Sequence, residues 1–261
     1  MSVAHLNLDH RAVLRLKGPD ARSFLQGLVT NDVMAAAPGK AVYAAMLTPQ
    51  GKYMYDMIIM ADGDDLLLDV EAARKADLMR RLMMYKLRAD VTITDEPGLS
   101  IWVSLEEPSA KGVAVPDPRH AALGWRLVAA DKPEGPALDR DTYEQTRLRL
   151  GVPDGSRDMQ IEKYFWLETA AEKLNGVSFT KGCYVGQELT ARMKHRTNLK
   201  KILRPICVEG GAPDDGTVIE TADGKAAGEI RTSNGDFALA YFRLEHENAT
   251  LVCNGKPVIL L

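Results

Sequence analysis

Hydrophobic and polar positions change texture once along the 261 residues, close to residue 199. Before that point, strand-like and helix-like patterns alternate. Residues 12–16 (AVLRL) alternate as a half-buried strand does. Gly18-Pro19-Asp20 breaks the strand, and Asp20 is placed to cap a helix over ARSFLQGLV, with Phe24, Leu25 and Leu28 on one face. Residues 41–47 and 53–60 read as strands around the turn Thr48-Pro49-Gln50-Gly51-Lys52, and residues 66–70 as a third. Residues 71–88 predict the clearest helix, with Ala72, Ala76, Met79, Met83 and Leu87 as its apolar stripe and the methionines as core filler. Strands are expected at 91–94, 101–104 and 125–129. A helix is expected at 142–150, capped by Asp141 and ended by Gly151 and Pro153.

Past Thr197 short strands alternate with turns: 202–208, 217–220, 228–232, 237–244, 251–253 and 258–261. Asp223-Gly224, Asn234-Gly235 and Asn254-Gly255 are strong hairpin signals. The fold class is therefore α+β, with a small C-terminal antiparallel β-barrel or sandwich at 199–261 following a mixed region at 1–198.

Composition narrows the function. A charge of -3 implies no broad basic surface for nucleic acid. No apolar run approaches 18 residues, so no membrane span is expected. The first residues, MSVAHLNLDHR, lack an apolar leader core, which points to a bacterial cytoplasmic setting. Three scattered cysteines argue for a reducing compartment, without a disulfide framework or the spacing of a self-contained cluster site. Cys207 and Cys253 lie in apolar strands and read as small buried hydrophobes.

Cys183 is different. It lies between Gly182 and Gly186, with Lys181 before it and a helical pattern from Tyr184 onward, in which Glu188 and Arg192 form an i,i+4 pair. It reads as a turn residue just ahead of a helix, where free N–H groups and the Lys181 ammonium favour a thiolate. Such a thiol suits a nucleophile, a redox centre or a metal ligand. The glycines also admit a plainer account, a tight turn and close helix packing. A basic cluster follows, Arg192, Lys194, His195, Arg196, Lys200, Lys201 and Arg204: a solvated helix end or an anion-binding surface.

The string KGCYVGQE resembles the signature of the YgfZ family, folate-binding proteins related to the glycine-cleavage T-protein (aminomethyltransferase), and the longer GCYVGQELTAR looks most like its mitochondrial-type branch. FLQGLVTNDV, TPQGKYMYDMII and RLRLGVPDG extend the similarity over residues from about 10 to 245. The resemblance implies two interlocked folate-binding subdomains and a small β-barrel around a central cleft. It implies a tetrahydrofolate-binding accessory factor (or one for another reduced folate) for assembly, insertion or repair of iron–sulfur clusters. Cys183 would be the reactive thiol, or a ligand to a transient cluster shared with a partner. The implied partners are A-type iron–sulfur carriers and [4Fe–4S] client enzymes, including tRNA thiolation enzymes. Where the T-protein carries adjacent aspartates after its central turn, this chain has Tyr55 and Asp56, leaving one carboxylate and arguing against a conventional enzyme. The implied folate contacts are Asp56, Tyr143 against the ring system, Asn31 and Asp32 as hydrogen-bonding groups, Glu162 on the pterin edge and Arg192 toward the glutamate tail. For Asn31, Asp32 and Glu162 the plainer readings are a helix end and a solvated acid. The alternatives are a folate-dependent aminomethyltransferase or demethylase, and a folate-binding module without chemistry.

Overall fold

The structure is a computed structural model that describes residues 3–196 and 199–261. The expected boundary between residues 198 and 199 adjoins the undescribed Thr197 and Asn198, and the side chain of Arg196 in the basic cluster also lies outside the described part.

A five-stranded antiparallel sheet has the order β3 (Val42–Leu47), β4 (Tyr53–Asp62), β5 (Asp65–Glu71), β2 (Arg11–Lys17), β6 (Thr92–Asp95). A four-stranded sheet has the order β1 (Leu6–Asn7), β7 (Ser100–Ser104), β9 (Trp125–Ala129), β8 (Val113–Pro116). Strands β3, β4 and β5 are buried on both faces, and two cores use them. On one face Tyr43, Tyr53, Ile58 and Met60 join Ile101, Val103, Val115 and Val128 of the second sheet, with Tyr143 and Trp166. On the other, Met46, Met57, Ile59 and Leu68 meet helices α1 (Ala21–Gln26) and α2 (Lys75–Lys86). Helix α3 (Arg140–Leu150) follows, ended by Gly151 at φ 74, and α4 (Gln187–Arg196) leads toward the barrel.

The barrel closes in the order β10 (Lys201–Val208), β13 (Phe237–Arg243), β12 (Ala226–Asn234), β11 (Val218–Thr221), β14 (Leu251–Cys253), β15 (Lys256–Leu260). Closure removes free edges, and Ile206, Ile230, Phe242 and Leu251 fill the interior. The Tyr164 and Tyr241 rings stack at 4.0 Å, and Tyr241 donates to Glu168 at 2.8 Å, fastening the barrel to what precedes it.

Three local expectations are corrected. The Asp20 side chain does not cap α1; it accepts the Asp90 N–H at 2.8 Å and joins the helix start to the strand entering the sheet. Helix α3 begins earlier than expected and is capped by Asp139, which accepts the Thr142 N–H at 2.9 Å. The stripe of α2 is also different. A 3-10 turn at Ala72–Arg74 precedes the helix and shifts its phase, so Leu78 and Leu82 are buried while Met83 and Leu87 are 48% and 88% exposed. In a segment as apolar as LMRRLMMYKL more than one stripe can be drawn, and the sheet decides which is used. Strand β8, which ends at Pro116 on a sheet edge where a missing N–H is tolerated, is not among the strands expected from the sequence.

The buried face of α2 is directly testable. Leu82→Ala is expected to cost about 2–5 kcal/mol in urea unfolding, whereas Met83→Ala should change stability by no more than about 0.5 kcal/mol.

Candidate functional site: a cleft and an exposed thiol

Where the two sheets meet, charged side chains are buried together. Asp69 on β5 is fully buried and accepts from Arg11 of β2 at 2.6 Å and from Arg126 of β9. Arg126 also donates to Asp117 at 3.0 Å, and Arg119 grips the same carboxylate through Nε at 3.0 Å and Nη2 at 2.8 Å. Burial by itself raises the Asp117 carboxyl, but Arg119 and Arg126 outweigh it and hold the group well below the usual carboxylate range. The guanidinium of Arg119 lies 5.7 Å from the Tyr43 ring centroid, and the same ring lies 5.7 Å from Trp166.

Beside this network opens a cleft of about 400 Å³, lined by Asn31, Asp32, Tyr43, Asp117 and Asn175, with Lys40 at its side. That volume is in the range of small-molecule sites. Asn31 is spent on structure: its amide donates to the Tyr43 carbonyl at 2.8 Å and the Asn175 carbonyl at 2.6 Å. Asp32 caps a 3-10 turn at Val33–Ala35, accepting from the Met34 N–H at 3.1 Å and from Gln26 at 3.0 Å. Both bonds fall on Oδ1; among the described residues Oδ2 has no hydrogen-bond partner, so an acceptor remains for a ligand.

Of the folate contacts expected from sequence, Asn31 and Asp32 line the cleft. Asp56 does not. It is buried beneath two tyrosines, Tyr53 donating at 2.8 Å and Tyr43 at 3.3 Å, and burial raises its pKa against the opposing charge of Arg11. Tyr143 is a core residue, with Arg126 donating to its hydroxyl at 3.5 Å. Glu162 is exposed at a left-handed turn (φ 57), held by its backbone N–H to the Tyr53 carbonyl. Arg192 is exposed on α4 and paired with Glu188 at 2.6 Å, as the i,i+4 spacing predicted. Asp117, Tyr43 and Asn175 were missed. Asp117 and Arg119 stand in VPDPRH, which reads as an ordinary polar turn, and only the arrival of Arg126 from a neighbouring strand makes them a site.

Cys183 is exposed in a loop, while Cys253 is buried and Cys207 partly so. Burial pushes both of the latter thiols up. Helix α4 starts four residues beyond Cys183, later than expected, because Gly186 at φ 87 interrupts it. The two glycines then differ. A Cβ at Gly186 would stand 2.6 Å from the Thr48 carbonyl oxygen, so this glycine lets α4 lie against the 48–52 turn; Gly182 faces open space and is needed for its φ of 99. Lys181 does not serve the thiol as expected. Its ammonium donates to the carbonyls of Gln26 and, at 2.6 Å, Val29, where α1 ends; burial lowers its pKa to about 8, with Asp32 opposing the shift. Among the described residues no three His, Cys, Asp or Glu side chains converge as a metal site.

Fold and cleft together define an aminomethyltransferase-like scaffold carrying a closed C-terminal barrel. The GCVT N-terminal domain family matches residues 1–113, and the CAF17 C-terminal beta-barrel domain matches residues 200–261. The solved glycine cleavage system aminomethyltransferase T from Bartonella henselae superposes on all of this chain and 85% of that one, with a TM-score of 0.78 at 12% identity, a likeness of fold. The iron–sulfur cluster assembly factor IBA57 of Mus musculus is 36% identical over 91% of this chain and 77% of its own length. The Homo sapiens factor is 35% identical over 91% and 76%. The chain belongs to the IBA57 family. These relatives are mitochondrial proteins, which overturns the bacterial cytoplasmic setting expected from the first residues; a short N-terminal stretch without a leader core could not carry that conclusion.

The buried charges set a second test. Asp117→Asn leaves two buried guanidinium groups without their shared anion and should cost about 3–5 kcal/mol, measured by urea unfolding. The sign with pH follows from the depressed carboxyl. The Asp117 contribution is fully present above its unfolded value of about 4 and is lost as pH falls through its lower folded value. Asp56, with a raised pKa, works in the opposite sense: its contribution is present at low pH and is lost as pH rises through its folded value. The acid limb of the stability curve should therefore flatten in Asp117→Asn.

Proposed function

We propose that this protein is an iron–sulfur cluster assembly factor, in which Cys183 contacts the cluster and the cleft beside Asp32 binds a reduced folate such as tetrahydrofolate. The observation that carries the reading is the placement of Cys183: an exposed thiol whose two near neighbours, buried Tyr184 and half-buried Lys181, are anchored. That leaves a presented sulfur on a held loop. Membership of the IBA57 family supports the assembly role. The cluster is cargo here. One thiolate cannot hold it alone, so the remaining ligands come from a partner, for which an A-type iron–sulfur carrier is the natural class, with [4Fe–4S] enzymes, tRNA thiolation enzymes among them, as clients downstream. Ligation releases the thiol proton to solvent. The relation to the YgfZ family belongs to the same reading, through KGCYVGQE.

The cleft fits a reduced folate in kind. The uncommitted oxygen of Asp32 offers an acceptor for a guanidine-like edge, and Lys40 a cation for a carboxylate tail. Aminomethyl transfer is the weaker reading, because the one carboxylate kept from the central hairpin, Asp56, is buried beneath Tyr43 and Tyr53.

Anaerobic reconstitution with an A-type carrier tests the thiol. The wild type should yield a cluster-bearing complex with visible absorbance, and Cys183→Ser should lose it while keeping its melting temperature; a full spectrum from the serine variant would remove the assignment. Iodoacetamide at neutral pH should modify Cys183 before Cys207 and Cys253. For the cleft, tetrahydrofolate at 100 times its Kd should add about 2.7 kcal/mol of stability, a rise of roughly 5–10 °C for a chain of this size, and no shift at millimolar ligand would sink the folate assignment.

A further inference from the structure

The loop that presents Cys183 is stitched to the segment that lines the cleft, and the stitches run in sequence. Ser178 N–H donates to the Thr30 carbonyl at 3.0 Å, and the Thr30 hydroxyl donates to the Gly176 carbonyl at 2.7 Å. Asn31 reaches the Asn175 carbonyl. Lys181 closes the series by placing its ammonium on the carbonyls of Gln26 and Val29. These are carbonyls at the C-terminal end of α1, where a cation is favoured. The Lys181 ammonium also lies 5.1 Å from the ring of Tyr184, the residue after the cysteine. One side chain joins this strap to the cleft. Gln26 accepts the Val33 N–H at 2.8 Å and donates to Asp32 Oδ1 at 3.0 Å and, more weakly, to the Lys181 carbonyl at 3.5 Å.

We infer that Lys181 and Gln26 are positioning residues for Cys183, Lys181 strapping the thiol loop to the end of α1 and Gln26 linking that strap to Asp32, so that a polar ligand bound at Asp32 alters the presentation of the thiol. The coupling half of this inference rests on the cleft being a ligand site. Asp32 shares one oxygen between Gln26 and the Met34 N–H. A ligand donor engaging the carboxylate competes for, or orders, that arrangement. The change passes to the Lys181 carbonyl and ammonium, two residues before the sulfur. Conformational coupling of this kind needs a differential interaction with two states of the loop, held and released, and polar bonds at a half-buried site supply it.

The experiment uses the whole chain, wild type and the variants Lys181→Met and Gln26→Leu, with tetrahydrofolate as probe. Hydrogen exchange is measured without ligand. Amides over residues 179–184 should exchange at least tenfold faster in both variants, while barrel amides at residues 202–208 stay unchanged; equal exchange over residues 179–184 in wild type and variants overturns the positioning role, whatever folate does. Binding of tetrahydrofolate is followed by calorimetry and Cys183 alkylation by iodoacetamide on the same samples. In the wild type, saturation should change the alkylation rate by at least threefold; in Gln26→Leu the ligand should still bind and the rate ratio should fall to one. Binding without a rate change in the wild type overturns the coupling, and a ratio that persists in Gln26→Leu overturns it too, since the ligand would then be covering the sulfur directly. Absence of binding to the wild type refutes the folate reading and the coupling with it, and leaves the exchange result to decide the roles of Lys181 and Gln26.

Discussion

Asp69 is the charge around which the two sheets are assembled. Its carboxylate has no exposed surface, and its two oxygens are taken by guanidinium groups from different sheets, Arg11 of β2 and Arg126 of β9. A carboxylate stripped of water is tolerated only when paired and hydrogen-bonded on all sides. The pairing therefore fixes where β9 lies over β5, and Arg126 carries the constraint onward to Asp117. Asp117 in turn orients Arg119 over Tyr43, at the edge of the cleft. Cleft geometry is thus a consequence of charge burial between sheets as much as of apolar packing. Replacing such a network by hydrophobic residues is often neutral for stability, whereas removing one partner leaves a buried charge uncompensated.

The aminomethyltransferase-like scaffold is put to an uneven use. The carboxylate retained on the central hairpin, Asp56, is closed over by Tyr43 and Tyr53 and held with a raised pKa. Cys183 is exposed on a loop between half-buried Lys181, strapped to the end of α1, and buried Tyr184. Gly186 permits this by bringing its backbone against Thr48, an approach no side chain would allow.

Elements with their own local chemistry were legible in the amino-acid sequence. The Asn-Gly and Asp-Gly turns located the barrel hairpins, because those dipeptides accept the positive φ that two-residue turns demand. Gly151 ended α3 in the left-handed conformation for the same reason. Asp20, Asp141 and the α2 stripe were misread. The Asp90 N–H took the Asp20 carboxylate, Asp139 capped α3 through a local bond while Asp141 accepts from Asn234 of the barrel, and the sheet took Leu78 and Leu82.

The same division holds for function. By itself the sequence determined the α+β class, the barrel, the family resemblance and the contrast between Cys183 in an exposed turn and the two shielded strand cysteines, since these depend on periodicity, turn residues and a short motif, all of them local. The cleft depended on what local pattern cannot encode. Asp117 and Arg119 share one turn, while Arg126, Tyr43 and Asn175 come from other strands and loops, and each alone is an ordinary turn or core residue. Asp56 and Tyr143 looked available to a ligand in sequence and are buried in the fold. Lys181 looked like the partner of the thiol next to it and instead bonds carbonyls far away in the chain, at Gln26 and Val29. Burial and long-range hydrogen bonding follow from how the sheets and helices pack, and that is settled only when the whole chain has folded.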